Sequence, residues 1–243
     1  MGQKNISEIT PDEAREIRRR LADDGIAVWS IGSPTGKISV NDPFPPHLDA
    51  FKRQLELAEI LGATRYRLFS FYDAGDDLAA VTERLGQVLD AAEGSGVVLC
   101  HENEKKIYGD TAERCAEILR QVPGLRTVFD PANFVQCRQP TLAAWEMLEP
   151  WVDYLHVKDC DGTGRVVLPG DGEGNLRELL RRYAARGGGI VTLEPHLTKF
   201  IGLETLERGE TTRTAYSFPD GDAAFDAAAA ALRRMVEEPG AAS

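Results

Sequence analysis

Four cysteines and four histidines are spread through 243 residues, and no two cysteines stand in a CxxC spacing. That excludes zinc ribbons. With no secretory context, Cys100, Cys115, Cys137 and Cys160 read as reduced thiols of a cytoplasmic protein rather than a disulfide framework. Long apolar runs are also missing. No stretch approaches the roughly 18 residues of a membrane span, and the N-terminus has no signal-peptide core. Positive charge is scarce: 28 Lys and Arg stand against 39 Asp and Glu, a net charge of −11. Such a balance disfavours nucleic acid and anionic membrane surfaces as partners. What is present is a 42% hydrophobic chain, long enough to bury one large core as a single domain over 1–243.

Strand-like runs alternate with amphipathic helices. Thr10-Pro11-Asp12-Glu13 has the form of a capping box with Pro at the first helical position, and Asp110-Thr111-Ala112-Glu113 repeats that logic. Further helices are expected near 46–61, 76–93, 141–149, 175–186 and 221–237. Gly25, Gly62, Gly94, Gly124 and the triplet Gly187-Gly188-Gly189 fall where helices should stop. Strands are expected near 26–31, 65–71, 96–101, 125–129, 152–157 and 189–193, apolar enough for a parallel sheet covered by helices. Cys100, inside the third run, reads as core. The alanine run Ala227–Ala231 reads as the packed face of the last helix.

Four residues sit at matching places in this pattern: Glu102, Asp130, His156 and Glu194, each just past an apolar run. Their intervals are 28, 26 and 38 residues, the length of a strand-loop-helix-loop unit. Residues past the carboxyl ends of neighbouring parallel strands converge on one face, where such folds bind ligands. Three carboxylates gathered there repel one another unless a cation holds them. Taken singly, Glu102 and Glu194 could be ordinary strand-end carboxylates, and His156 a satisfied structural histidine. Taken together, they point to a divalent metal site. The donor set favours a hard, roughly octahedral cation, Mn²⁺ first, with Mg²⁺, Co²⁺ and Zn²⁺ as alternatives.

The segments His101-Glu102-Asn103-Glu104, Asp130-Pro131-Ala132-Asn133-Phe134, His156-Val157-Lys158-Asp159 and Glu194-Pro195-His196 resemble the xylose isomerase-like TIM barrels. That superfamily includes sugar phosphate isomerases and epimerases, inosose dehydratases and endonuclease IV. The resemblance implies a (β/α)8 barrel and an isomerase or epimerase acting on a small sugar or sugar phosphate. Its metal would be held by Glu102, Asp130, His156 and Glu194, and Glu102 and Glu194 would also be acid/base groups. The reaction implied is proton abstraction beside a polarised carbonyl, through an enediolate. A dehydratase acting on a cyclic polyol ketone begins with the same step, and a non-catalytic metal-binding protein or inactive fragment is the reading outside catalysis. The endonuclease branch fits poorly, because its several zinc ions need many histidines and this chain has only His47, His101, His156 and His196.

The pattern departs from the family at its start. Six strands and seven helices are expected, the chain opens on a helix, and family members carry two strands before the segment resembling Asn5–Thr10. The expectation is therefore of a barrel lacking its first two strands, with about 50–60 residues belonging upstream and homo-oligomerisation encouraged at the open edges.

Weaker candidates surround the four. The resemblance suggests that Lys158 contacts a substrate oxygen, although Lys158 and Asp159 could form a local ion pair instead. Asn133 could bond substrate hydroxyls or cap the next loop. Arg67, Ser33 and Lys37 lie near the ends of the first two strands and could face the pocket, with Gly36-Lys37 expected on a surface loop. His196 and Glu104 could support the ligands. The stretch Pro169–Asn175 reads as a mobile loop that either closes over substrate or only connects elements. It lacks the spacing of a phosphate-binding loop.

Overall fold

The structure, a computed structural model, describes residues 4–198 and 213–237. The strands are β1 (Ser30–Gly32), β2 (Arg65–Leu68), β3 (Val98–Glu102), β4 (Arg126–Phe129), β5 (Val152–Val157), β6 (Asp159–Cys160), β7 (Val166–Val167) and β8 (Val191–Leu193). Six of them form one sheet in the order β1-β2-β3-β4-β5-β8, and β6 pairs with β7 as a small antiparallel hairpin. In the main sheet β1 runs parallel to β2, β2 to β3, and β5 to β8. The helices are α1 (Pro11–Asp23), α2 (Phe44–Leu61), α3 (Leu78–Ala91), α4 (Ala112–Gln121), α5 (Pro131–Gln136), α6 (Thr141–Leu148), α7 (Leu176–Ala185) and α8 (Gly221–Glu237). Each strand of the main sheet is followed by at least one helix before the next. This is the (β/α)8 pattern, with six strands in the main sheet among the described residues.

Near-continuous burial explains why the strands read as apolar runs. Every residue of β2, β3 and β4 after the first is buried, as in a sheet covered on both faces. The helix ends follow local chemistry. Thr10 Oγ1 accepts the Glu13 N–H at 3.2 Å, and Glu13 returns an acceptor to the Thr10 N–H at 2.8 Å. Gly62 ends α2 at φ 80°, a conformation that costs glycine little. The expected box at Asp110–Glu113 is corrected: α4 begins at Ala112, and Thr111 is the residue whose hydroxyl accepts from the N–H of Arg114.

Three other expectations change. Among the described residues an eighth α-helix, α5, starts within the Asp130–Phe134 segment and runs on to Gln136, and its six residues are too few to show a helical period. The β6–β7 hairpin, two residues a side, was equally invisible. The first strand is confined to Ser30–Gly32, and Ile26, expected within it, is 54% exposed.

The chain divides into two compact units, Met1–Glu102 with Lys106–Gly109 and Glu117–Thr127, and Asn103–Lys105 with Asp110–Ala116 and Val128–Ser243. In the first, α1 packs on α2, and Phe51 of α2 meets Tyr66 of β2 edge to face with centroids 5.3 Å apart. Ala14, Phe51, Leu57, Tyr66 and Leu68 have no exposed surface. In the second, Trp145 stands edge-on to both Phe129 and Tyr183. Val157, Leu176 and Met235 form one apolar cluster there, and Val166, Leu197, Ala224 and Ala228 another. The buried face of α8 is Ala224, Ala228, Ala231 and Met235. Only two members of the Ala227–Ala231 run therefore lie on it.

Candidate metal centre

All four expected ligands stand at carboxyl ends of strands. Glu102 is the last residue of β3, Asp130 follows β4, His156 is the penultimate residue of β5, and Glu194 follows β8. Each offers one ligand atom, and these atoms all lie within 4.8 Å of one another. Glu102, Asp130 and His156 are buried and Glu194 is partly exposed. Hard oxygen donors with one imbedded imidazole, at this mutual spacing, suit a divalent cation.

Asp130 is the best-held member. It caps α5, with Oδ1 accepting the N–H of Asn133 at 3.0 Å. Its Oδ2 lies 2.8 Å from Lys158 Nζ and 3.9 Å from His156 Nδ1. Lys158 Nζ also donates to Asn133 Oδ1 at 2.9 Å. His156 Nδ1 lies 3.0 Å from Glu194 Oε2, and His196 Nε2 lies 3.5 Å from Glu194 Oε1. Burial raises the cost of charging Glu194, but the imidazoles of His156 and His196 outweigh it and hold the carboxyl well below the usual carboxylate range.

The weaker candidates sort themselves. Lys158 and Asn133 both contact Asp130. Arg67 Nε lies 3.0 Å from Glu102 Oε2, and its Nη1 donates to the Ser33 carbonyl at 2.8 Å. The Ser33 hydroxyl donates to the Arg67 carbonyl, so Ser33 braces Arg67. Lys37 lies over the ring of Phe69, and Gly36 is buried rather than on a surface loop. A Cβ at Gly36 would stand 2.1 Å from the Phe69 carbonyl oxygen. Glu104 accepts the neighbouring Lys105 N–H.

Asp159 does not pair with its neighbour Lys158. Its carboxylate accepts the N–H groups of Gly170, Gly172 and Gly174 at 2.9, 3.1 and 2.9 Å. Burial raises the Asp159 carboxyl against these bonds. The Pro169–Asn175 stretch is thus fastened to a carboxylate of its own chain. Asn103 stands out in the sequence only as part of a motif, yet its side chain holds the backbone of Asp130. The signal available was its position directly after Glu102.

None of the curated proteins matches the sequence significantly. Among solved structures, D-psicose 3-epimerase with D-tagatose from Clostridium cellulolyticum H10 is 17% identical, over 94% of this chain and 84% of that one, at a TM-score of 0.72. A xylose isomerase-like TIM barrel protein from Mycobacterium smegmatis in complex with magnesium is also 17% identical, over 96% and 81%, at 0.71. The probable 3-DHS dehydratase AsbF of Bacillus anthracis is 14% identical, over 93% and 82%, at 0.66. At these identities the likeness is one of fold. The family profile described as xylose isomerase-like TIM barrel matches residues 1–235, and the chain belongs to that family.

Proposed function

We propose that this protein is a metal-dependent isomerase or epimerase of a sugar or sugar phosphate. The observation that carries the reading is the convergence of Glu102, Asp130, His156 and Glu194, whose ligand atoms lie within 4.8 Å of one another. The D-psicose 3-epimerase among the structural relatives makes a sugar the first substrate class to try, and the magnesium in another relative suits the same donor set. Mn²⁺ is the preferred ion, with Mg²⁺, Co²⁺ and Zn²⁺ as competitors.

The chemistry that a cation held by these four residues supplies is polarisation of a substrate carbonyl, which acidifies the adjacent C–H. Proton transfer then falls to the chain's own carboxylates. One of Glu102 and Glu194 takes the proton from that carbon, and the resulting enediolate is reprotonated by the partner carboxyl. Return to the same carbon inverts it, whereas return to the former carbonyl carbon moves the carbonyl. Lys158, Asn133 and Arg67 supply donors for substrate oxygens. A bound cation would lower the pKa values of both glutamates, so their efficiency in proton transfer rests on close positioning.

The test uses purified protein and a panel of ketoses and their phosphates. Metal analysis should find one divalent cation per chain, and Mn²⁺ at 100 times its dissociation constant should add about 2.7 kcal/mol of stability. Turnover in D₂O should wash deuterium into the carbon beside the carbonyl. Well-folded protein that neither contains a cation nor melts higher with added Mn²⁺ would sink the reading.

A further inference from the structure

Asn103 directly follows Glu102 and is 2% exposed. Its side-chain amide meets the backbone of Asp130 at two points. Nδ2 donates to the Asp130 carbonyl at 2.9 Å, and Oδ1 accepts the Asp130 N–H at 2.9 Å. Asn103 therefore takes the place that a neighbouring strand's peptide would occupy in a sheet ladder. Its own carbonyl accepts from Asn133 Nδ2 at 2.9 Å. Asn133 Oδ1 accepts from Lys158 Nζ, and that ammonium is 2.8 Å from Asp130 Oδ2. The circuit closes on the residue where it began.

Two of the bonds in this circuit fall on the backbone of one residue. Capping of α5 fixes only the Asp130 carboxylate relative to its own helix. The Asn103 amide fixes where that helix start lies relative to the residue after Glu102. Only Asn has the reach for both bonds. Aspartate would accept the N–H but could not donate to the carbonyl, and it would bury a second negative charge beside Asp130.

We propose that Asn103 is a positioning residue that sets the place of Asp130 as a ligand, acting through the Asp130 backbone without touching cation or substrate. This rests on the metal-centred reading above. Outer hydrogen bonds of this kind typically control metal affinity 10–100-fold.

The experiment compares the wild-type chain with Asn103→Ala, Asn103→Ser and Asn103→Asp. Two quantities are read on folded, metal-stripped protein: the melting temperature, and the Mn²⁺ dissociation constant by electron paramagnetic resonance at 25 °C. The expected result is a dissociation constant raised about 10–100-fold in Ala and Ser, and at least as much in Asp, at a temperature where every variant is fully folded. A merely structural role would lower melting and leave that constant unchanged, and wild-type affinity in the folded variants overturns the proposal. Amide exchange in wild type covers the case in which the variants do not fold. The Asp130 N–H must exchange as slowly as the amides inside β4 and β5, and rapid exchange there also overturns it. A wild type that binds no Mn²⁺ overturns the metal reading itself, an outcome distinct from a wild type that binds and variants that bind equally well.

Discussion

Lys158 Nζ lies 2.8 Å from Asp130 Oδ2, and both side chains are almost wholly buried. An ammonium and a carboxylate out of water stabilise each other only because each is present. Lys158→Met keeps most of the stem but leaves the Asp130 charge with less compensation. It should lower the stability of metal-free protein by about 3–5 kcal/mol in urea titrations. Saturating Mn²⁺ should restore part of that loss, since the cation compensates the same carboxylate. Equal stability of Lys158→Met and wild type without metal would show that the pair carries little.

His101 predicts an acid limb. It is completely buried, and Ser70 Oγ stands 2.9 Å from Nε2 while accepting the Gly109 N–H at 2.8 Å. Burial lowers the imidazole pKa from 6.5 to about 4, against an upward pull from Glu102. A folded-state value below the unfolded one means that the unfolded chain binds the proton first. The full contribution is present above pH 6.5 and is lost as pH falls towards 4. The distance from 6.5 to about 4, at about 1.36 kcal/mol per pH unit, corresponds to roughly 3 kcal/mol. His101→Gln should flatten the stability–pH curve in that window, as measured by urea unfolding from pH 7.5 to 4.

The chain pattern and the four candidate ligands were legible for the same reason. Buried parallel strands read as apolar runs, so a Glu, Asp or His just past each run is conspicuous. Partnerships were less legible. Lys158 and Asp159 are adjacent and opposite in charge, but neighbours in an extended chain point to opposite faces. Lys158 therefore turns to Asp130, 28 positions earlier, and Asp159 to glycines more than ten positions later. Composition made Pro169–Asn175 look mobile because glycine is flexible on its own. What holds the loop is a carboxylate that no local pattern connects with it. The six-residue α5 starts inside a motif conspicuous for its Asp and Asn, and Asn103 makes two bonds to Asp130 that only a folded backbone presents.

The fastening of that loop makes a prediction at Gly172. A Cβ there would stand 2.3 Å from Asp159 Oδ1 and 2.5 Å from the Cys160 carbonyl oxygen, whereas one at Gly189 meets nothing within 4 Å. Gly172→Ala must push the loop off Asp159 and should cost about 1–3 kcal/mol, the usual range for overpacking. Limited proteolysis should then cut within 169–175, while Gly189→Ala behaves as wild type. Resistance of Gly172→Ala to both assays would mean that the loop moves aside without loss.

Glu194 is the residue whose chemistry separates turnover from binding. Its Oε2 lies 3.0 Å from His156 Nδ1, and its Oε1 lies 3.5 Å from His196 Nε2. Glu194→Gln keeps an amide oxygen at the same reach but removes the basic lone pair and the negative charge. Loss of a general base costs about 10²–10⁴-fold in rate, so kcat should fall by at least that much while Mn²⁺ binding weakens without vanishing. The same variant should stop solvent deuterium entering the carbon beside the carbonyl. If Glu102→Gln also abolishes exchange, the two carboxylates share the proton transfers. If it slows product formation but leaves exchange intact, Glu194 removes the proton and Glu102 returns it. A wild type that turns over substrate in D₂O with no deuterium in the product would instead indicate a hydride shift between carbons, and neither glutamate would then be the base.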